Sequence, residues 1–396
     1  MKSARQASIQ PAISCRRLEW RQRPLLGRNF RVSLEHVLRQ RGVVYDVGRS
    51  MGAHSASWRP DYSPALVRRE LDIIQADLHA NAVRLGGRDP GRLVDAASYA
   101  ASIGLDVWLG PELWNATPRQ TLRYITDAAA AAEPLFRRWP DQLTFCVGNE
   151  LTMLMRGIVP GRNHARRGRS PVLRETVLSA QHPLRAFLAD AAASVRGVYG
   201  GPVSYCASPF ERVDWDHFDV VGVNHYRQIQ GLTTERYLAK IGQLQATGKP
   251  VAITEFGFAA CRDADNPEFL STLNATPLSL LGSQTPVLKR FARPRVRTVH
   301  PRDEPAQARL LTDQLQLLDQ AGVDGVFVMS FSFPLAPYSE DPRHDLDATA
   351  LSIVRTLPRA RRGTTHPGVG WEPKGAFGAI ARYYRQQEPG LRPAQG

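Results

Sequence analysis

Lysine is nearly absent from this chain. Of 51 basic residues only Lys2, Lys240, Lys249, Lys289 and Lys374 are lysines, and the rest are arginines. Against 37 acidic residues the formal charge is +14. A balance this basic can serve a polyanionic partner. An Arg bias alongside abundant Ala and Gly equally describes a solvated surface shaped by genomic base composition. There is no recognised nucleic-acid motif and no basic stripe interleaved with aromatics, so nucleic acid is not the expected partner. Cysteine is scarce too. Cys15, Cys146, Cys206 and Cys261 are scattered, with no CxxC and no Cys/His ligand spacing, which argues against a disulfide framework and a structural zinc site. No stretch reaches the ~18 apolar residues needed to span a bilayer. The N-terminal MKSARQASIQPAISCRRLEWRQRP has positive charge but no continuous apolar run, so it does not read as a secretory signal. Thiols without a framework and no export signal lead to the expectation of a cytoplasmic protein.

What is present is ordinary globular composition, 43% hydrophobic and 22% charged, which excludes a disordered, collagen-like or coiled-coil chain. The pattern along the chain is more specific. Eight short apolar runs recur: VVYDV (43–47), NAVRL (81–85), LDVWL (105–109), LTFCV (143–147), PVSYC (202–206), DVVGV (219–223), PVAIT (250–254) and GVFVM (325–329). Each is short and mostly β-branched, as a strand buried on both faces should be. Amphipathic segments such as ALVRRELDIIQADLHA and QARLLTDQLQLLDQAG separate most of them. Eight strands alternating with helices predict an α/β protein, a single (β/α)8 TIM barrel over residues 41–387. An Arg-rich arm (1–40) precedes it and a flexible Pro/Gly tail (388–396) follows. A doubly wound open sheet is the alternative, weakened because neither GxGxxG nor GxxxxGK[ST] follows the first strand. Long loops follow strands four (156–181) and seven (257–303). Both leave from strand C-terminal ends, the face where barrels build their sites.

Two strand tips carry carboxylates. Strand four ends in Gly148-Asn149-Glu150 and strand seven in Glu255-Phe256-Gly257. A Glu at a barrel mouth costs desolvation unless something pairs with it. Three strands apart in an eight-strand ring, these two can reach toward each other across the mouth. Paired carboxylates suit glycosidic bond cleavage, one protonating the leaving oxygen and the other attacking the anomeric carbon or activating water. Such chemistry needs no metal or cofactor.

The segments NAVRLGG, CVGNEL, VGVNHYR and ITEFGF occur in this order at strand spacing. In this the chain resembles the large clan of retaining (β/α)8 glycoside hydrolases in which Asn-Glu ends strand four and Glu ends strand seven. The resemblance covers roughly residues 40–385. It implies a carbohydrate substrate, with Glu150 as general acid/base and Glu255 as nucleophile. It further implies that Asn149 bonds the sugar 2-hydroxyl, that Arg84 and Tyr226 hold and orient Glu255, and that Asn224 and His225 line the subsite.

Each residue also fits a plainer role. Glu255 fits an ion-pair partner of Arg84, Glu150 an N-cap for a helical-looking LTMLMRG, Tyr226 and His225 packing, and Asn149 a turn cap. Trp114, after strand three, fits a sugar platform or the core. Glu112 fits a hydroxyl ligand or the partner of an insertion arginine. Asp46 and His54, after strand one, are similarly placed. The tip of strand eight reads Ser330-Phe331-Ser332-Phe333-Pro334, without the Trp common in the clan, so a Phe is the available platform. Arg156, Arg162, Arg166, Arg167 and Arg169 of the first insertion fit either recognition of an acidic substituent or a solvated loop. Two further readings remain: a catalytically impaired barrel that binds a glycan or acidic ligand, and a basic nucleic-acid or defence-associated protein.

Overall fold

The computed structural model describes residues 38–50, 57–59, 62–168, 170, 183–266, 295–358 and 361–388. Nearly all of the Arg-rich arm and the tail, parts of both insertions, and His54 and Arg169 lie outside the described residues.

The eight apolar runs form the eight strands β1 (Gln40–Gly48), β2 (Ala82–Gly87), β3 (Asp106–Pro111), β4 (Leu143–Asn149), β5 (Val203–Ala207), β6 (Val220–Asn224), β7 (Val251–Phe256) and β8 (Gly325–Val328). They pair in parallel in chain order, and β8 closes on β1. The protein is therefore a (β/α)8 barrel. Its strands read as continuous apolar runs because one face fills the barrel and the other meets the helices. All nine residues of β1 and all seven of β4 are buried.

Local sequence sets where the helices start. In α1 (Pro64–Ala76), α2 (Pro90–Ser102) and α3 (Pro118–Arg138) a proline occupies the first turn. The preceding Ser63, Asp89 or Thr117 accepts a backbone N–H. Val67, Leu71 and Ile74 of α1 lie on one face and are fully buried, each worth roughly 1.5–3 kcal/mol. The helical-looking segment after β4 yields only α4 (Leu151–Leu154), followed by α5 (His164–Gly168) and then α6 (Pro183–Arg196). A 3-10 turn, Trp215–His217, stands between β5 and β6, where the sequence shows no helical pattern. The ring continues with α7 (Thr234–Gln245) and α8 (Glu304–Gln320). After β8 come an antiparallel pair, β9 (Val354–Thr356) and β10 (Trp371–Pro373), and then α9 (Gly375–Gln386).

At the N-terminal end Trp108 and Phe327 plug the barrel, with ring centroids 5.4 Å apart. Gly42 makes room for them, since a side chain there would collide with the Phe327 ring. The chain returning from β8 is clamped by charge. The buried Lys374 Nζ lies 2.9 Å from Asp347, which Arg302 also reaches at 3.0 Å. At the opposite end the strand register slips between Asp46 and Gly48, Cys146 and Asn149, Val223 and Asn224, and Ile253 and Phe256. Bulges re-aim the side chains beside them, and all four fall next to the polar tip residues.

Candidate active site

Glu255 is the penultimate residue of β7, only 7% exposed. Its Oε1 takes a hydrogen bond from the Arg84 guanidinium at 2.5 Å and from Asn149 Nδ2 at 3.4 Å. Its Oε2 takes one from the Tyr226 hydroxyl at 2.9 Å. Arg84 comes from β2, is 1% exposed, and also donates to the Thr254 carbonyl at 3.3 Å. Burial alone would push the Glu255 carboxyl up. The charges of Arg84 and Arg49 and the hydrogen bonds from Arg84 and Tyr226 outweigh it, and the group sits below the ordinary carboxylate range.

Glu150 follows β4 in a left-handed backbone conformation, φ 43° and ψ 46°. It stands at the N-cap position of α4 but caps nothing with its side chain. Its carboxyl instead takes a hydrogen bond from Asn224 Nδ2 at 2.9 Å. The same amide reaches Asn149 Oδ1 at 2.9 Å, while Thr254 Oγ1 donates to Asn224 Oδ1 at 2.8 Å and sets which way the amide faces. Burial, and then the neighbouring Glu255 charge, push the Glu150 carboxyl up to about 8. One carboxylate is thus held anionic and the other protonated, linked through two asparagine amides.

A second layer surrounds them. Glu112, buried after β3, takes hydrogen bonds from Arg49 Nε at 2.9 Å and Trp114 Nε1 at 2.9 Å. Arg84 lies 3.9 Å away, between Glu112 and Glu255. Asp46 builds the loop that delivers Arg49, its carboxylate accepting the backbone N–H of Gly48 at 2.6 Å and of Arg49 at 2.7 Å. The guanidinium lies against Gly86, where any side chain would collide with it. Trp114 packs edge-on against Trp58 at 5.2 Å and His164 at 5.0 Å.

Arg84, Asn149, Glu150, Asn224, Tyr226 and Glu255 are therefore brought into one hydrogen-bonded group, with Glu112 and Trp114 beside it. His225 is not part of it. Its ring stacks on Tyr237 of α7 at 4.1 Å, and its Nδ1 pairs with Gln230 Nε2 at 2.8 Å. Burial, and then the Lys240 charge, lower it to about 3, so the imidazole is neutral and braces the end of β6. The strand-eight phenylalanines also depart from expectation. Phe331 is fully buried between Tyr45 and Trp371, and Phe333 packs on Trp58, so neither offers an open platform. Of the insertion arginines, Arg156, Arg162 and Arg166 are exposed. Arg167 is buried and spent on the protein's own backbone, donating to the carbonyls of Met153 (2.5 Å), Gly161 (3.0 Å) and Leu154 (3.1 Å). Glu112 pairs with Arg49 of the strand-one loop, not with an insertion arginine. Arg49 escaped the sequence reading because nothing marks one arginine among so many. The Asp46-x-Gly48-Arg49 turn was the available signal.

Fold and site together define a (β/α)8 barrel with a paired-carboxylate centre at its C-terminal mouth. Among solved structures the chain is similar to a GH113 beta-1,4-mannanase, at 15% identity and a TM-score of 0.53, over 87% of this chain and 98% of that one. It is also similar to the GH113 beta-mannanase of Alicyclobacillus acidocaldarius in complex with ManMIm, at 16% and 0.51, over 88% and 98%. The beta-glucuronidase of Ruminococcus gnavus matches at 12% and 0.51, over 88% of this chain and 50% of that one. These likenesses show a fold shared with glycoside hydrolases. No protein-family model matches the chain, and no curated protein matches its sequence. Among the described residues no helix is long and apolar enough to cross a membrane, and no group of three or more His, Cys, Asp or Glu is placed to hold a metal ion.

Proposed function

We propose that the protein is a retaining O-glycoside hydrolase acting by double displacement on a carbohydrate, with the barrel 41–387 as its catalytic unit. The observation that carries this reading is the opposite surroundings of two neighbouring glutamates. The buried Glu255 is held by Arg84 and Tyr226, which keep it low, while Glu150 faces the Asn224 amide and the Glu255 charge, and burial and that charge push it up to about 8. Two carboxyls whose environments drive them apart in this way divide the acid and base roles between them. Glu255, anionic and fixed by three donors, attacks the anomeric carbon. Glu150, protonated, gives its proton to the leaving oxygen. Its carboxylate then draws a proton from water, which releases the sugar with net retention. Asn149, bonded to both Asn224 and Glu255, is the residue this reading assigns to the sugar hydroxyl beside the anomeric carbon.

The test is an aryl-glycoside panel with the wild type, Glu150→Ala and Glu255→Ala, together with labelling by 2-fluoro sugars. Loss of turnover in both variants and a covalent label on Glu255 are expected. Unchanged turnover in both variants on a glycoside the wild type cleaves would sink the assignment. Absence of any label or turnover across many sugars would favour a barrel that binds glycans without cleaving them.

A further inference from the structure

The left-handed backbone of Glu150 is a conformation that residues other than glycine adopt at a cost, and it persists only where surroundings enforce it. The short α4 that follows has no cap of its own. Its N–H groups are satisfied from the neighbouring strand instead. Glu150 N–H donates to the Cys206 carbonyl at 3.0 Å. Leu151 N–H donates to the Tyr205 hydroxyl at 2.8 Å, and Thr152 N–H to Glu211 Oε1 at 2.9 Å. The Tyr205 hydroxyl in turn donates to Glu211 Oε2 at 2.9 Å, which also accepts Ser208 N–H at 2.8 Å. Three consecutive N–H groups, starting at Glu150 itself, therefore end on β5 and the loop after it. Glu211 is the hub, since it gathers the turn, Tyr205 and its own loop onto one carboxylate.

We propose that Glu211, acting with Tyr205, is a positioning residue for Glu150: it holds the turn that aims the Glu150 carboxyl at the leaving-group oxygen. The inference rests on the hydrolase reading and adds to it a residue that touches no substrate. It makes a selective prediction. A slackened turn misplaces the proton donor but leaves Glu255 and its donors Arg84 and Tyr226 untouched. Only reactions that need the proton should suffer.

The experiment compares wild type, Glu211→Gln, Tyr205→Phe and Glu150→Ala on two glycosides of the sugar the wild type turns over. One carries a 2,4-dinitrophenyl group, which departs without protonation, and the other a methyl group, which does not. For Glu211→Gln, kcat/KM on the methyl glycoside is expected to fall by about 10–100-fold, part of what general acid catalysis supplies. On the dinitrophenyl glycoside the fall is expected to be under about threefold. Tyr205→Phe, which deletes a single oxygen, should show the same selectivity on a smaller scale. The charges facing Glu150 are Glu255, Glu211 and Arg84. Removing that of Glu211 should also move the falling limb of the pH profile to lower pH. Equal losses on both glycosides, or none on either, with the limb unmoved in both variants, would overturn the proposal while leaving the hydrolase intact. A wild type inert on every glycoside, or a Glu150→Ala variant that loses nothing, overturns the hydrolase reading and this inference with it.

Discussion

Replacing Glu150 with glutamine removes an ionisable group that the fold makes hard to ionise, yet keeps its shape and an oxygen for the Asn224 amide. In the folded protein the carboxyl stays protonated to about 8, against an ordinary value of 4.5. Below the lower value both folded and unfolded chains carry the proton, and ionisation contributes nothing to stability. Between the two values the unfolded chain gives up its proton while the folded one keeps it, so stability falls as pH rises, and levels off above about 8. At about 1.4 kcal/mol for each pH unit, the span from 4.5 to about 8 sets an upper bound of roughly 5 kcal/mol. The side chain keeps partial contact with solvent, and screening reduces the realised penalty to the order of 2 kcal/mol. Glutamine escapes this penalty. Glu150→Gln should therefore gain little in Tm near pH 5 and about 2–4 °C near pH 9, relative to wild type, while losing hydrolysis. Calorimetric scans of both proteins across that range test this without knowledge of the substrate. A Tm difference that does not change with pH, or a variant less stable than wild type near pH 9, would refute the claim that this site opposes ionisation.

The activity of the wild type should follow a bell in pH. Hydrolysis falls above about pH 8 as Glu150 ionises, and on the acid side only below the ordinary carboxylate range as Glu255 takes up a proton. A kcat/KM profile centred above pH 8 would contradict the assignment. Arg84→Gln leaves Glu255 and Glu112 buried without their shared cation, with an expected loss of about 3–5 kcal/mol in denaturant unfolding. The acid limb of its residual activity should move to higher pH, and a loss below about 1 kcal/mol would show that the pair is not structurally coupled. Arg167→Ala removes the donors to the carbonyls of Met153 and Gly161, and one of two donors each to the Leu154 carbonyl and Asn115 Oδ1, which keep Asn115 N–H and His164 N–H. About 2–3 kcal/mol of destabilisation is expected, concentrated in faster hydrogen exchange over residues 153–168. Uniform exchange across the barrel would argue against that local role.

Much of the architecture was legible because its cause is local. A strand buried on both faces must be short, apolar and β-branched, and all eight runs became strands, though VVYDV extends back to Gln40. The tip glutamates stood out for the same reason, as charges ending apolar runs. The pair β9 and β10 went unread because each has only three residues, too few for a period to show. LTMLMRG has a helical pattern but makes one turn, since Asn115 N–H and Arg167 take the Leu154 carbonyl and Arg156 N–H turns to the Ala116 carbonyl, bonds that no pattern within the segment shows. His225 shares a segment with Asn224 and Tyr226, but strand alternation turns it toward α7.

From the chain alone one could determine the closed ring of eight strands and the two carboxylates at its mouth, because apolar period and strand length are properties of neighbouring residues. How each carboxylate is held, and so which way each is pushed in protonation, was decided only in three dimensions. It depends on Arg84 reaching Glu255 across 171 positions of sequence and on burial that no single segment contains. The same holds for the pairing of Arg49 with Glu112 and for the bracing of Glu150 by Tyr205 and Glu211. An ion pair or a cap joins whatever the barrel places side by side, and strand order, not sequence spacing, sets who those neighbours are.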